Sequence, residues 1–124
     1  MEQIYRIPGG LFCAGAPVFV KEATMHQQED KLFAKLVMEN KDAAKKICAV
    51  TVRLSPIAAN GAVIGDGEIC RYENLQAEPG SDFGAEVYNA LPQGSCAFGA
   101  AVLQVTFADG SQWEAESKLA WHVQ

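Results

Sequence analysis

No apolar run in this chain approaches the roughly 20 residues that a membrane-crossing helix requires; the run from Ala97 to Leu103 is among the longest. No basic stretch leads into an apolar one at the N-terminus, so the sequence predicts a soluble chain without an export signal or a membrane segment. Basic residues are scarce. Lys and Arg number 10 against 15 Asp and Glu, and the resulting net charge of −5 has the wrong sign for a phosphate backbone, so no nucleic-acid partner is expected. Histidine occurs only at His26 and His122. The four cysteines, Cys13, Cys48, Cys70 and Cys96, form no C-x-x-C and no Cys/His pair at knuckle spacing. A zinc ribbon or finger takes two ligands from each of two tight turns, so no metal site and no cofactor are predicted.

What is present is ordinary globular material. Hydrophobic residues make up 49% of 124 residues, and a chain of this length buries about two-thirds of its unfolded surface without staples. Four free thiols in the reducing cytoplasm are therefore expected, whether the chain stands alone or forms part of a membrane-anchored protein. Cys48 falls in the alternating run Cys48, Val50, Val52, Leu54 and reads as a small buried hydrophobe. The basic residues gather before position 63 and the acidic ones after it, a distribution best read as a solvated acidic side.

Residues 1–16 carry Pro8-Gly9-Gly10 and Gly15, too much punctuation for a long element, and read as an arm with one short strand. The Val18-Phe19-Val20 patch after Pro17 reads as a first strand on an edge. Lys31 to Asn40 fits both a strand and a helix, with Asp30 as an N-cap candidate. Cys48 to Leu54 alternates with the two-residue period of a strand, which Pro56 is expected to end. Short extended pieces follow at Val63-Ile64, from Glu68 to Leu75 and from Phe83 to Leu91. Ala101, Leu103, Val105 and Phe107 alternate up to Asp109-Gly110, where Gly110 is expected at positive φ in a hairpin before Trp113. Seven or eight short strands at intervals of about ten residues predict an antiparallel β-sandwich. Val50, Val52, Leu54, Leu103, Val105 and Phe107 are its expected inter-sheet core, with Trp113 nearby. The sandwich is placed at residues 17–114, followed by a C-terminal strand or linker tail at 115–124.

The strand-ending Asn40, the Lys46-Ile47 step into the next strand, Asn60-Gly61, Tyr72-Glu73-Asn74-Leu75 and Phe107-Ala108-Asp109-Gly110-Ser111-Gln112-Trp113 resemble small bacterial immunoglobulin-like domains of the FxLYD type. The resemblance covers roughly residues 17 to 114. It implies an immunoglobulin-like sandwich in which Lys31 to Asn40 is a strand, and it implies no catalytic residues. Antibody-type domains match less well, because Trp113 follows both central cysteines.

The expected function is that of a non-catalytic binding or scaffolding domain of a larger bacterial protein. It would contact another protein, or a second copy of itself, through an edge strand such as Val18 to Val20. Two alternatives are weighed. One is calcium binding by Asp66-Gly67-Glu68 and the Glu78 to Asp82 loop, which lack a regular D-x-D-x-D spacing. The other is a small enzyme using a Cys/His pair, for which no cysteine carries a local mark of activation.

Overall fold

The structure, a computed structural model, describes residues 1–116 and 121–123. Those residues contain strands, turns and loops but no helix, and hence no helix long and apolar enough to cross a membrane. They form an all-β sandwich of two antiparallel sheets. The strands in chain order are β1 (Glu2–Arg6), β2 (Leu11–Phe12), β3 (Val18–Gln28), β4 (Lys31–Asn40), β5 (Ile47–Ile57), β6 (Glu68–Tyr72), β7 (Asp82–Phe83), β8 (Tyr88–Leu91), β9 (Ala97–Phe107), β10 (Gln112–Glu114) and β11 (His122–Val123). The first sheet runs β11-β2-β3-β4-β7, with β1 also on β3 and β8 also on β4; the second runs β10-β9-β5-β6. The rest of the 115–124 segment, residues 117–120 and 124, lies outside the described residues.

The ambiguous Lys31–Asn40 segment is a strand along its whole length. Its ladder with β3 extends from Gln28↔Lys31 to Val18↔Asn40, and Ala34, Leu36, Met38 and Asn40 are buried on one face. A helical stripe would have buried Leu36 beside Leu32 and Phe33; here tertiary pairing overrides local propensity. The N-terminal residues supply two strands where their glycines and prolines pointed to one. β1 and β2 lie end to end along the same edge of β3, and Ile7, Leu11 and Cys13 are buried. Gly10 makes this junction feasible. Its φ is +75°, and a Cβ there would fall 2.3 Å from the Val20 carbonyl oxygen.

Three extra residues explain where inward-facing positions depart from simple alternation. Register shifts single out Lys21 in β3, Cys48 in β5 and Leu103 in β9, each without a cross-strand partner. Such a bulge reverses which side of the sheet the following residues face. In β3 the buried set passes from Val18 and Val20 to Ala23 and Met25. In β5 Ile47 takes the inward place expected of Cys48, which is only half-buried. In β9 Val102 is buried and Leu103 is not, whereas Val105 and Phe107 face the core as expected, as do Val50, Val52 and Leu54 of β5. Trp113 packs against this core.

β5 also continues past Pro56, which pairs with Phe98 of β9. Pro56 lies beyond the last β5–β6 pair, Leu54↔Glu68, where only the isolated Ile57↔Val63 bridge continues on that side; its carbonyl still accepts the Ile64 N–H at 2.8 Å, so the missing N–H interrupts no regular ladder. The hairpin before Trp113 forms as read: Gly110 has φ +88°, its N–H donates to the Phe107 carbonyl (3.0 Å), and the Phe107 N–H donates to the Ser111 carbonyl (2.9 Å).

Asn40, only 1% exposed, ends β4 with every polar group engaged. Its Nδ2 donates to the carbonyls of Lys45 and Ala77, both at 2.9 Å, and its Oδ1 accepts the Asp42 N–H at 2.9 Å. Its backbone exchanges hydrogen bonds with the 80–81 turn, the N–H to the Ser81 carbonyl and the carbonyl from the Gly80 N–H. Asp42 continues the network by accepting the N–H groups of Ala44 and Lys45, which hold its carboxyl below its ordinary range. Replacing Asn40 with Ala leaves two carbonyls and one N–H stranded, and thermal or urea unfolding should show a loss of roughly 3 kcal/mol or more. Gly110→Val, whose Cβ has open space around it and whose penalty is therefore chiefly backbone strain at φ +88°, should cost about 1–3 kcal/mol.

Candidate functional site

The cysteines and histidines do not converge among the described residues. Cys13 is buried just after β2, Cys48 is half-buried at its bulge, Cys70 is half-buried on β6 and Cys96 is exposed; all four are free. Burial, followed by the negative charge of Glu68, pushes the Cys70 thiol pKa up, opposite to what a nucleophilic cysteine needs. His26 lies on the outer face of β3. Its Nε2 is hydrogen-bonded to Thr24 Oγ1 at 2.8 Å, and its ring meets Tyr88 edge-on at 5.5 Å, with Lys35 over the same Tyr88 ring at 5.9 Å. Cys13 lies towards the other end of β3. His122 stands opposite Phe12 in the β11–β2 ladder, and its side chain is outside the described residues.

The acidic loops are likewise dispersed. Glu78 pairs with Lys46 at 3.0 Å and Asp82 with Lys21 at 3.0 Å, while Asp66 precedes β6 and Glu68 opens it. Among the described residues no three His, Cys, Asp or Glu side chains form a group able to hold a metal ion. Two open clefts lie on the first sheet. One, of about 320 Å³, runs between Phe12, Phe19 and the Glu39–Lys41 ion pair; the other, of about 340 Å³, is bordered by Lys31, Phe33, Ala90 and Gln93. Cys13 also lines the first, beside Glu39 and Lys41, but the buried thiol donates to the Ala14 carbonyl at 3.8 Å while Glu39 and Lys41 pair with each other at 3.6 Å, so neither is placed as a base on the sulfur; the lining of the second holds no cysteine, histidine or carboxylate.

The unsatisfied chemistry of a sandwich lies at its edges, where backbone donors and acceptors face outward. Val18–Val20 is not such an edge. The sheet order places β3 between β4 on one side and β1 and β2 on the other, so the strand read as an edge is internal. Edge position depends on which other segments pair, here Leu11–Phe12 and Lys31–Asn40, and local alternation does not encode that. Most true edges are guarded. β1 is interrupted by a register shift at Ile4, β2 is covered by β11, and β7, β10 and β11 are two or three residues long. β8 is a four-residue edge whose Asn89 donates to the hydroxyl of Tyr72 in the other sheet at 2.8 Å. Burial pushes the Tyr72 pKa up to about 12, so this phenol stays protonated.

β6 is different: five residues, no register shift against β5, and Ile69 59% exposed at its middle. The direction of its backbone groups follows from its neighbours. Ile64 N–H donates to the Pro56 carbonyl (2.8 Å) and Leu75 N–H to the Cys48 carbonyl (2.9 Å), so even-numbered residues of β5 face β6. The hydrogen-bonded pairs are therefore Val50/Tyr72, Val52/Cys70 and Leu54/Glu68. Ile69 and Arg71 are left with N–H and C=O pointing away from the sheet. The Arg71 side chain lies across the outer face, its Nε on Glu73 Oε1 at 2.5 Å and its Nη1 on Thr51 Oγ1 at 3.1 Å. The sequence marked Glu68 to Leu75 as extended but gave no sign that it was the least guarded edge.

Burial first, then the positive charges of Lys35 and the N-terminus, lowers the His26 pKa below its ordinary value near 6.5. A depressed folded-state pKa means that the unfolded chain takes up the proton first. The His26 contribution to stability is therefore complete above pH 6.5 and is lost as pH falls from there towards the folded-state value. Melting temperature should drop over that interval in the wild type and drop less in His26→Gln. Thiol labelling of the folded chain should begin at Cys96 and reach Cys13 last, with Cys48 intermediate.

Comparison with family models, with curated proteins and with solved structures returned no significant match, so the geometry of these residues carries the functional argument by itself.

Proposed function

We propose that this chain is a non-catalytic binding or scaffolding domain, of a larger bacterial protein, that captures a protein partner by adding a strand to β6. The observation that carries this reading is the uninterrupted β6 edge with Ile69 exposed at its centre and the backbone groups of Ile69 and Arg71 directed outward. An extended segment laid along it would gain main-chain hydrogen bonds from those groups, and side-chain contact with Ile69 would add selectivity. Four free cysteines support work in a reducing compartment such as the cytoplasm. The buried Asn40 ahead of the Lys46-Ile47 step supports an immunoglobulin-like origin, since it gives the strand-ending Asn of that resemblance a structural role.

Ile69→Pro tests the reading, because it removes an outward N–H without removing a β5–β6 hydrogen bond. The variant should melt within about 5 °C of wild type. Panned against a display library of random nine-residue peptides, the wild type should enrich extended, β-branched sequences and the variant should not. Equal enrichment on both proteins, or none on either, would overturn strand addition at β6.

A further inference from the structure

We infer that one occupant of the β6 edge is the same edge of a second copy of this chain, run antiparallel about a two-fold axis through Cys70; this inference rests on the strand-addition reading above. The argument is one of register. The outward backbone groups belong to Ile69 and Arg71, two residues apart and symmetric about Cys70. With the axis at Cys70, Ile69 of one copy stands opposite Arg71 of the other and the reverse, so every outward N–H and C=O of the two residues finds a partner. Shifts by an odd number of residues would oppose side chains from different faces of the sheet and are excluded. A two-fold at Arg71 would set two guanidinium groups directly against each other, and like charges in that position are destabilising. A two-fold at Ile69 would set Arg71 against Gly67, whose φ of +86° has already turned the chain out of the strand.

The Cys70 register has side-chain chemistry in its favour as well. The exposed Ile69 would be covered by the aliphatic stem of Arg71 from the second copy, and each guanidinium remains neutralised by its own Glu73. Glu68 stands opposite Tyr72, so no two like charges are directly opposed. The product is a continuous sheet across both copies, ordered β10-β9-β5-β6-β6-β5-β9-β10. Its interface is a single strand pair, so association is weak and depends on concentration.

Cys70 provides the reporter. At the axis it forms a non-hydrogen-bonded antiparallel pair, with a Cα separation of ~4.5 Å, inside the range a disulfide spans. Diamide, a diazene oxidant, would take two electrons and two protons from the two thiols, leaving a hydrazine and an S–S bond. In the 124-residue chain carrying Cys96→Ser, which removes the exposed thiol, diamide should yield a covalent dimer that reductant dissolves. Adding Cys70→Ser should abolish it, and so should Ile69→Pro. Sedimentation of the unoxidised chain should show a dimer fraction that rises with concentration. A chain that stays monomeric through the millimolar range, or a diamide dimer that persists without Cys70, overturns the inference. If peptides are still enriched on wild type and lost on Ile69→Pro while no dimer forms, the second copy is ruled out and strand addition stands; if neither is seen, both fail.

Discussion

A single buried carboxamide holds together the two places where the chain first passes between its sheets. β4 belongs to the first sheet and β5 to the second; β6 belongs to the second and β7 to the first. Asn40 lies at both crossings. Its side chain binds Lys45 and Asp42 in the first connection and Ala77 in the other, and its backbone binds the 80–81 turn. Only a group with two donors and an acceptor on one short stem meets all three demands. A carboxylate would set negative charge against two carbonyls, and an apolar residue would strand three polar groups in the interior. Because Ile47 and Ala77 exchange both backbone hydrogen bonds next to this point, the start of β5 inherits its position from Asn40. The β6 edge, which hangs on β5, inherits it in turn.

The bulges divide labour within the long strands. A strand of ten or eleven residues twists too far for one row of side chains to keep facing a flat partner sheet, and an inserted residue restores the aim. Lys21, Cys48 and Leu103 are those insertions, and none of them belongs to the buried core. The cost is borne by polar or adaptable side chains that tolerate partial exposure.

Fold class was legible because turn residues recur at short intervals and because Val50, Val52, Leu54, Val105 and Phe107 alternate cleanly. Gly110 and Trp113 were legible for local reasons too, since a turn's geometry is set within five residues. Phase was not. Cys48 and Leu103 continue the alternation of their neighbours in sequence, and only pairing with a strand far along the chain shows each to be the extra residue. Neighbourhood was the least legible of all. Val18-Phe19-Val20 and Glu68 to Tyr72 are both short apolar-rich runs beside turns, yet one ends up central and the other outermost, because β2 and β4 take both sides of the first whereas the second pairs with β5 alone, and neither outcome is written in the run itself. The candidate site therefore stayed hidden while its residues were in plain view.

The pairing of β5 with β9 also dictates the order in which this protein can come into being. Ile47 waits for Phe107 and Ile57 for Ala97, so the second sheet has no centre until the chain has been made almost to Phe107. Until then β5 has β6 on one side only, and the row of N–H and C=O groups along its other edge stays open to its surroundings. During synthesis the hairpin of β3 and β4, complete within neighbouring residues, is the piece able to form early. The domain thus spends its nascent life as half a sandwich, and its vulnerability to misassembly lies in the interval between the emergence of β5 and the arrival of β9.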